Sequence, residues 1–191
     1  MKAKANSSRE DPFRTLYKVA RAVNSSLDVM QVLNLIVSST AEAMGAKGCS
    51  LRLLGPDGEH LMFGAACGLT PNYRAKGPVC VAQSEVDRQA IENRQLVCID
   101  DASTDSRFQY PEQAREEGIV SVVVAPLIVQ DQPIGVLRVY SATRRDFEEA
   151  DLALVEAIAS LSALAIENGR LYERLHRDYL AAIEFRQRST R

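Results

Sequence analysis

Residues 121–141, SVVVAPLIVQDQPIGVLRVYS, restrict the fold more than any other stretch of this chain. Two runs rich in β-branched residues flank Asp131-Gln132-Pro133. Such runs pack well on a pleated surface, and a polar triplet containing proline turns the chain, so the segment reads as a long antiparallel hairpin. From Phe147 to about Phe185 the pattern changes: proline is absent and Gly169 is the one interior glycine, which predicts a single long helix.

Upstream, Phe13, Leu16, Tyr17, Ala20 and Val23 recur at helical spacing, and Asn24-Ser25-Ser26 interrupts them. A second helix follows, with Asp28 at its N-cap, Gln31 three residues on and Gly45 past its end. The period then becomes two. Cys49–Leu54 and His60–Cys67 read as strands around the turn Gly55-Pro56-Asp57-Gly58. Residues 69–120 are less regular. They hold short strands at Val79–Ala82 and Leu96–Ile99, a helix from Ser84 to about Asn93, and a helix from Pro111 to Glu117 stopped by Gly118. Hairpins flanked by helices imply an antiparallel sheet with helices packed on it, the α+β class. The expected organisation is a polar, disordered tail over residues 1–11, a domain over 12–172, and a helical extension with a basic end over 173–191.

Composition narrows the function. The net charge of −2 gives no general attraction to nucleic acid, and the one basic patch is the tail Arg186, Arg188 and Arg191. No apolar run reaches the roughly 20 residues that span a bilayer, and the polar start lacks a signal-peptide core. The expectation is a cytoplasmic protein with neither a nucleic-acid nor a membrane partner. Cys49, Cys67, Cys80 and Cys98 form no CxxC pair, so a zinc knuckle or a thioredoxin-type motif is not expected. Four reduced thiols are, with Cys67 and Cys80 the more exposed.

The order of elements, with LDVMQVLNLIVSSTAEAMGAKGCSLRLLGPDGEH, VCIDDASTDSRF, VAPLIVQDQPIGVLRVYS and DFEEADLALVEAIASLSALAIENGRLYERL, resembles a GAF domain, a small-molecule sensor domain related in fold to PAS domains. The resemblance implies an antiparallel sheet of about six strands. The first, second and last helices would lie on one face, and the irregular middle would enclose a ligand pocket on the other. It names no cofactor. The Asn-Lys…Phe…Asp-Glu run of cyclic-nucleotide binders is missing, no cysteine precedes a histidine as in bilin binders, and neither His60 nor His176 falls in the middle segment where a haem ligand would sit. The family also contains a thiol enzyme that reduces free methionine-(R)-sulfoxide, which the four cysteines keep as an alternative to a non-enzymatic sensor. A dimerisation scaffold without ligand is a third reading. Either the chain is cut from a larger receptor, or it is a single-domain regulator acting on a downstream signalling protein.

For the pocket, Arg52 and Arg138 are the sharpest candidates. Strand alternation puts Arg52 opposite Leu51 and Leu53, and Arg138 opposite Leu137 and Val139. If the leucines meet the helices, both arginines face the pocket. Two half-buried guanidinium groups repel unless an anionic ligand, or a carboxylate such as Asp100 or Asp101, stands between them. Cys80, Asp101, Arg107 and Phe108 complete the candidate set. The acidic loop 98–112 reads more simply as backbone self-capping than as a metal or acid–base site, and no metal is expected. For assembly, the last helix read in heptads places Leu154, Leu161, Asn168 and Leu175 at a, with Leu164 and Leu171 at d. A homodimer is expected, built from Phe13, Leu16, Tyr17 and Ala20 of the first helix and Leu164, Asn168, Leu171 and Leu175 of the last.

Overall fold

The computed structural model describes residues 11–26 and 28–188, with side chains to Ile183. Residues 1–10 of the tail expected over 1–11, and the side chains of Phe185, Arg186, Arg188 and Arg191, lie outside the described residues. Helix α1 (Pro12–Ser25) opens with Asp11 accepting from the Phe13 amide at 3.1 Å and with proline at its first position. Helix α2 (Val29–Met44) is capped by Asp28, which accepts from the Gln31 amide at 3.1 Å and from Gln31 Nε2 at 2.8 Å. These bonds satisfy donors that the helix start leaves free.

Strands β1 (Gly48–Leu54) and β2 (His60–Cys67) form the first hairpin. Then come α3 (Pro71–Arg74), β3 (Val79–Cys80), α4 (Glu85–Asn93), β4 (Val97–Ile99) and α5 (Pro111–Glu117). Strands β5 (Ser121–Val129) and β6 (Gln132–Ser141) make the second hairpin, and α6 (Glu149–Arg188) closes the chain. The six strands pair antiparallel in the order β3-β2-β1-β6-β5-β4.

Two details differ from the sequence reading. The β5–β6 turn is made by Gln130 and Asp131, at φ 46° and 64°, and Pro133 lies inside β6 opposite Ile128, where the register slips. Two successive positive φ values match the twist of the flanking strands, so the turn settles one residue earlier than the proline indicated. The short helix α3, capped by Thr70 accepting from the Tyr73 amide at 3.3 Å, was not expected.

The sheet separates two apolar clusters. On one face, α1, α2 and α6 cover Cys49, Leu51, Val123, Ala125, Leu137 and Val139. On the other, the middle segment covers Leu61, Val122, Val124, Val136 and Tyr140 with Tyr73, Val86, Phe108 and Ala114 among others. The α+β sandwich expected from the strand and helix pattern is therefore the observed one. Gly169 is buried where α6 crosses the start of α2, so close that a Cβ there would overlap Val29.

Candidate functional site

Arg138 belongs to β6, paired with β1, and stands on the same sheet face as Val136 and Tyr140. It is 1 % exposed. Its Nε donates to Oδ1 of Asp87 at 2.9 Å and its Nη2 to Oδ2, a two-pronged charged pair between the sheet and α4. Burial, the largest influence, would lower the arginine's pKa, but the Asp87 carboxylate, Tyr140 and Tyr73 together outweigh it and hold the guanidinium firmly charged. The Ser84 hydroxyl also donates to Asp87, so this serine positions the carboxylate instead of capping the helix with its side chain. Asp87 is the missed partner of Arg138. Asp100 reaches Arg144 instead, at 3.3 Å, and Asp101 accepts from the Ser103 amide and hydroxyl at 3.0 and 2.7 Å.

Arg52 lies two residues along β1 from Ser50, the register partner of Arg138. Gly135 lets β6 come this close, since a Cβ there would overlap the Arg52 carbonyl oxygen. Among the described residues no carboxylate pairs with the Arg52 guanidinium. Its Nη1 donates to the Leu61 and Gly77 carbonyls at 3.2 and 3.4 Å, and its Nε, fully buried, has no hydrogen-bond partner. Burial first, and then the charge of Arg138, push its pKa down.

Two further residues belong here that sequence reasoning passed over. Lys76 Nζ is buried 3.4 Å from the centroid of the Tyr73 ring, 4.9 Å from that of Tyr110 and 5.8 Å from that of Phe108. It has no hydrogen-bond partner, and neither has the buried hydroxyl of Tyr73. Burial, then the charges of Arg138 and Arg52, lower the Lys76 pKa to about 6. Tyr73 meets Tyr140 edge to face with centroids 6.0 Å apart, and the Tyr140 hydroxyl shares a hydrogen bond with Ser50 Oγ at 2.8 Å. Tyr73 also lines a cleft of about 250 Å³ together with Thr70, Asn72, Gln113, Glu116 and Glu117.

Arg52, Arg138 and Phe108 thus converge, while three other candidates stand apart. Arg107 is held by Asp105, with Nε on Oδ1 at 3.0 Å and Nη2 on Oδ2 at 2.6 Å, at a partly exposed position. Asp101 caps its own loop. Cys80 pairs with His60, whereas Leu61 and Val79 take the buried register, so alternation turns Cys80 away from the cluster. The same holds for the other thiols. Cys49 faces the helices, Cys67 lies beside it across the strand pair, and Cys98 alternates with Ile99. Cys98, not Cys67 or Cys80, is the exposed one. No group of three or more His, Cys, Asp or Glu among the described residues is placed to hold a metal ion.

The family model of the GAF domain matches residues 28–166. The chain belongs to the GAF domain family. Solved structures agree at the level of fold. The GAF domain of a Coxiella burnetii phosphoenolpyruvate-protein phosphotransferase superposes with a TM-score of 0.76 at 21 % identity, covering 88 % of this chain and 99 % of that one. The corresponding Acinetobacter domain gives 0.72 at 24 % identity, over 83 % and 94 %. Free methionine-R-sulfoxide reductase from Neisseria meningitidis, solved with its substrate, gives 0.73 at 19 % identity, over 90 % and 98 %. No curated protein matches the chain. A GAF domain is a small-molecule sensor or regulatory fold, and no described helix of this one is long and apolar enough to cross a membrane.

Proposed function

We propose that this GAF domain is a cytoplasmic sensor which takes a small anionic molecule against Arg52 and reports it through a helical homodimer. One observation carries the reading. Three buried polar groups without a hydrogen-bond partner, Arg52 Nε, Lys76 Nζ and Tyr73 Oη, occur on the same side of the sheet among the described residues. Folded proteins seldom leave such groups unsatisfied, because each costs about 1–3 kcal/mol. All three can donate, so the matching ligand is an acceptor. The carboxylates whose charges reach Lys76 are Asp87, already bound to Arg138, and Glu117, already bound by Thr70 and by Lys47 at 3.4 Å.

The output side is supported by exposed apolar residues along the helices. Phe13 and Tyr17 of α1, with Leu164, Leu171, Leu175 and Tyr179 of α6, lie on the surface. Leu16 and Ala20 are half-buried, and Thr15, Val19 and Val23 form the face that α1 turns inward. A groove of about 530 Å³ between the α1–α2 junction and α6 includes Val29, Asn168, Gly169 and Leu171. A second copy of α6 covering this stripe would remove it from water. Ligand entry would move α4 and the sheet edge, and the paired helices would transmit the change to a signalling partner.

Thiol chemistry at this pocket is disfavoured by strand alternation, which turns Cys49, Cys67, Cys80 and Cys98 away from Arg52. Native mass spectrometry of the purified chain tests the proposal. A dimer retaining a small anion, which is lost on Arg52→Gln, supports it. A bare monomer at high micromolar concentration, unaltered by added anions, contradicts it.

A further inference from the structure

We infer that Lys76 guards an anion site, and that a small oxyanion or carboxylate binds the Tyr73 hydroxyl and Arg52 Nε while one solvent proton moves onto the Lys76 amine. The inference rests on the anion-sensor reading above and supplies its chemistry. It makes Lys76 and Tyr73 binding residues of the pocket and makes binding proton-coupled.

The geometry has two parts. Lys76 Nζ rests on aromatic faces, closest to Tyr73, and pairs with no carboxylate among the described residues. Beside it stand two more unmatched donors, on Arg52 and Tyr73. Rings favour a cation at their faces, so a cationic ligand is the competing idea. Such a ligand would share the space with Arg52, whose charge no carboxylate pairs, and with Arg138. An acceptor with negative charge instead matches the donor chemistry of Arg52, Tyr73 and a protonated Lys76.

The groups facing Lys76 are Tyr73 from α3, Phe108 and Tyr110 from the β4–α5 connection, Arg52 from β1, Arg138 from β6, Asp87 from α4 and Glu117 from α5. Arg138 and Asp87 neutralise each other. Burial is the main reason that the amine gives up its proton at about pH 6, and the charges of Arg138 and Arg52 add to it. An uncharged amine rests there without an ion pair. An arriving anion reverses the local field, so the amine recovers its proton from solvent and becomes the counter-ion. Above about pH 6 each anion bound therefore takes up a proton, and affinity falls as pH rises.

Titration calorimetry with sulfate and with acetate, in two amine buffers of different ionisation enthalpy, counts that proton. Both anions keep a constant charge from neutral to alkaline pH, and their two arms separate a tetrahedral oxyanion site from a carboxylate site. The expected result is close to one proton taken up at about pH 7.5, and affinity falling about tenfold per pH unit above that. Lys76→Arg, always charged, should bind the same anion with no proton uptake and no pH slope. Lys76→Met should bind weakly and without uptake, with its melting transition confirming the fold. Wild-type binding without proton uptake, or uptake that persists in Lys76→Met, would overturn this inference alone. No binding of either anion at tens of millimolar would overturn the sensor reading with it.

Discussion

Arg138 on β6 and Asp87 on α4 share two hydrogen bonds with both side chains almost sealed from solvent, 2 % and 0 % exposed. This pair fastens the pocket-side helix to the sheet. Removing one partner leaves the other charge buried and unmatched, so Asp87→Asn should cost about 3–5 kcal/mol in denaturant unfolding. Replacing both, as Asp87→Leu with Arg138→Met, should recover most of that loss. A single variant within about 0.5 kcal/mol of wild type would show that the pair does not form.

Lys76 gives a pH signature of its own. Unfolded, its amine titrates at the ordinary 10.5, and folded at about 6. Between these values the unfolded chain holds the extra proton, so this residue makes stability fall as pH drops from about 10 towards 6. Below that both states are protonated and the effect is constant. Lys76→Met should raise stability by about 1–3 kcal/mol near neutral pH by removing an unmatched buried amine. The difference between variant and wild type should shrink as pH rises from neutral to 10. Unfolding curves at several pH values measure it directly.

Gly169 tests the crossing of α6 over α2. Alanine favours a helix by about 1 kcal/mol over glycine. Here its methyl would overlap Val29, a stiff β-branched side chain. Gly169→Ala should therefore destabilise by about 1–2 kcal/mol despite the helix preference. Adding Val29→Ala should return the gain, so thermal melts of the two singles and the double give an interaction energy of favourable sign.

The proposed dimer would draw on apolar residues that the subunit leaves exposed. Leu175 is 69 % exposed, and Leu171 43 %. Leu171→Glu with Leu175→Glu should leave the melting of the subunit core unchanged and reduce light-scattering mass from two chains to one. An unchanged mass would move the interface elsewhere.

Much of this was legible from local pattern. Period-two alternation placed Arg52 and Arg138 on one face because every neighbour on the other side, Leu51, Leu137 and Val139, was apolar. Helix ends at Asp28 and Gly45 were legible because caps are chemical signatures. Asp87 was passed over although it lies between Val86 and Ala90 on the buried side of α4, where a carboxylate at core spacing signals a buried partner. Lys76 and Tyr73 had no such signal: they sit in an irregular segment, and their place is decided by how α3 and the β4–α5 connection close on the sheet. Thr70-Pro71 did mark the start of α3. Cys80 and Asp101 were drawn into the pocket by proximity in sequence, which says nothing about which way a side chain turns.

A crystal of the full chain soaked in selenate, whose selenium scatters anomalously, puts the account's main claim to its most direct trial. The expected result is an anomalous peak within hydrogen-bond reach of Arg52 Nε and Tyr73 Oη, with the Lys76 ammonium moved off the Tyr73 ring to meet it. A peak confined to surface cations, with Lys76 still resting on Tyr73, would contradict it.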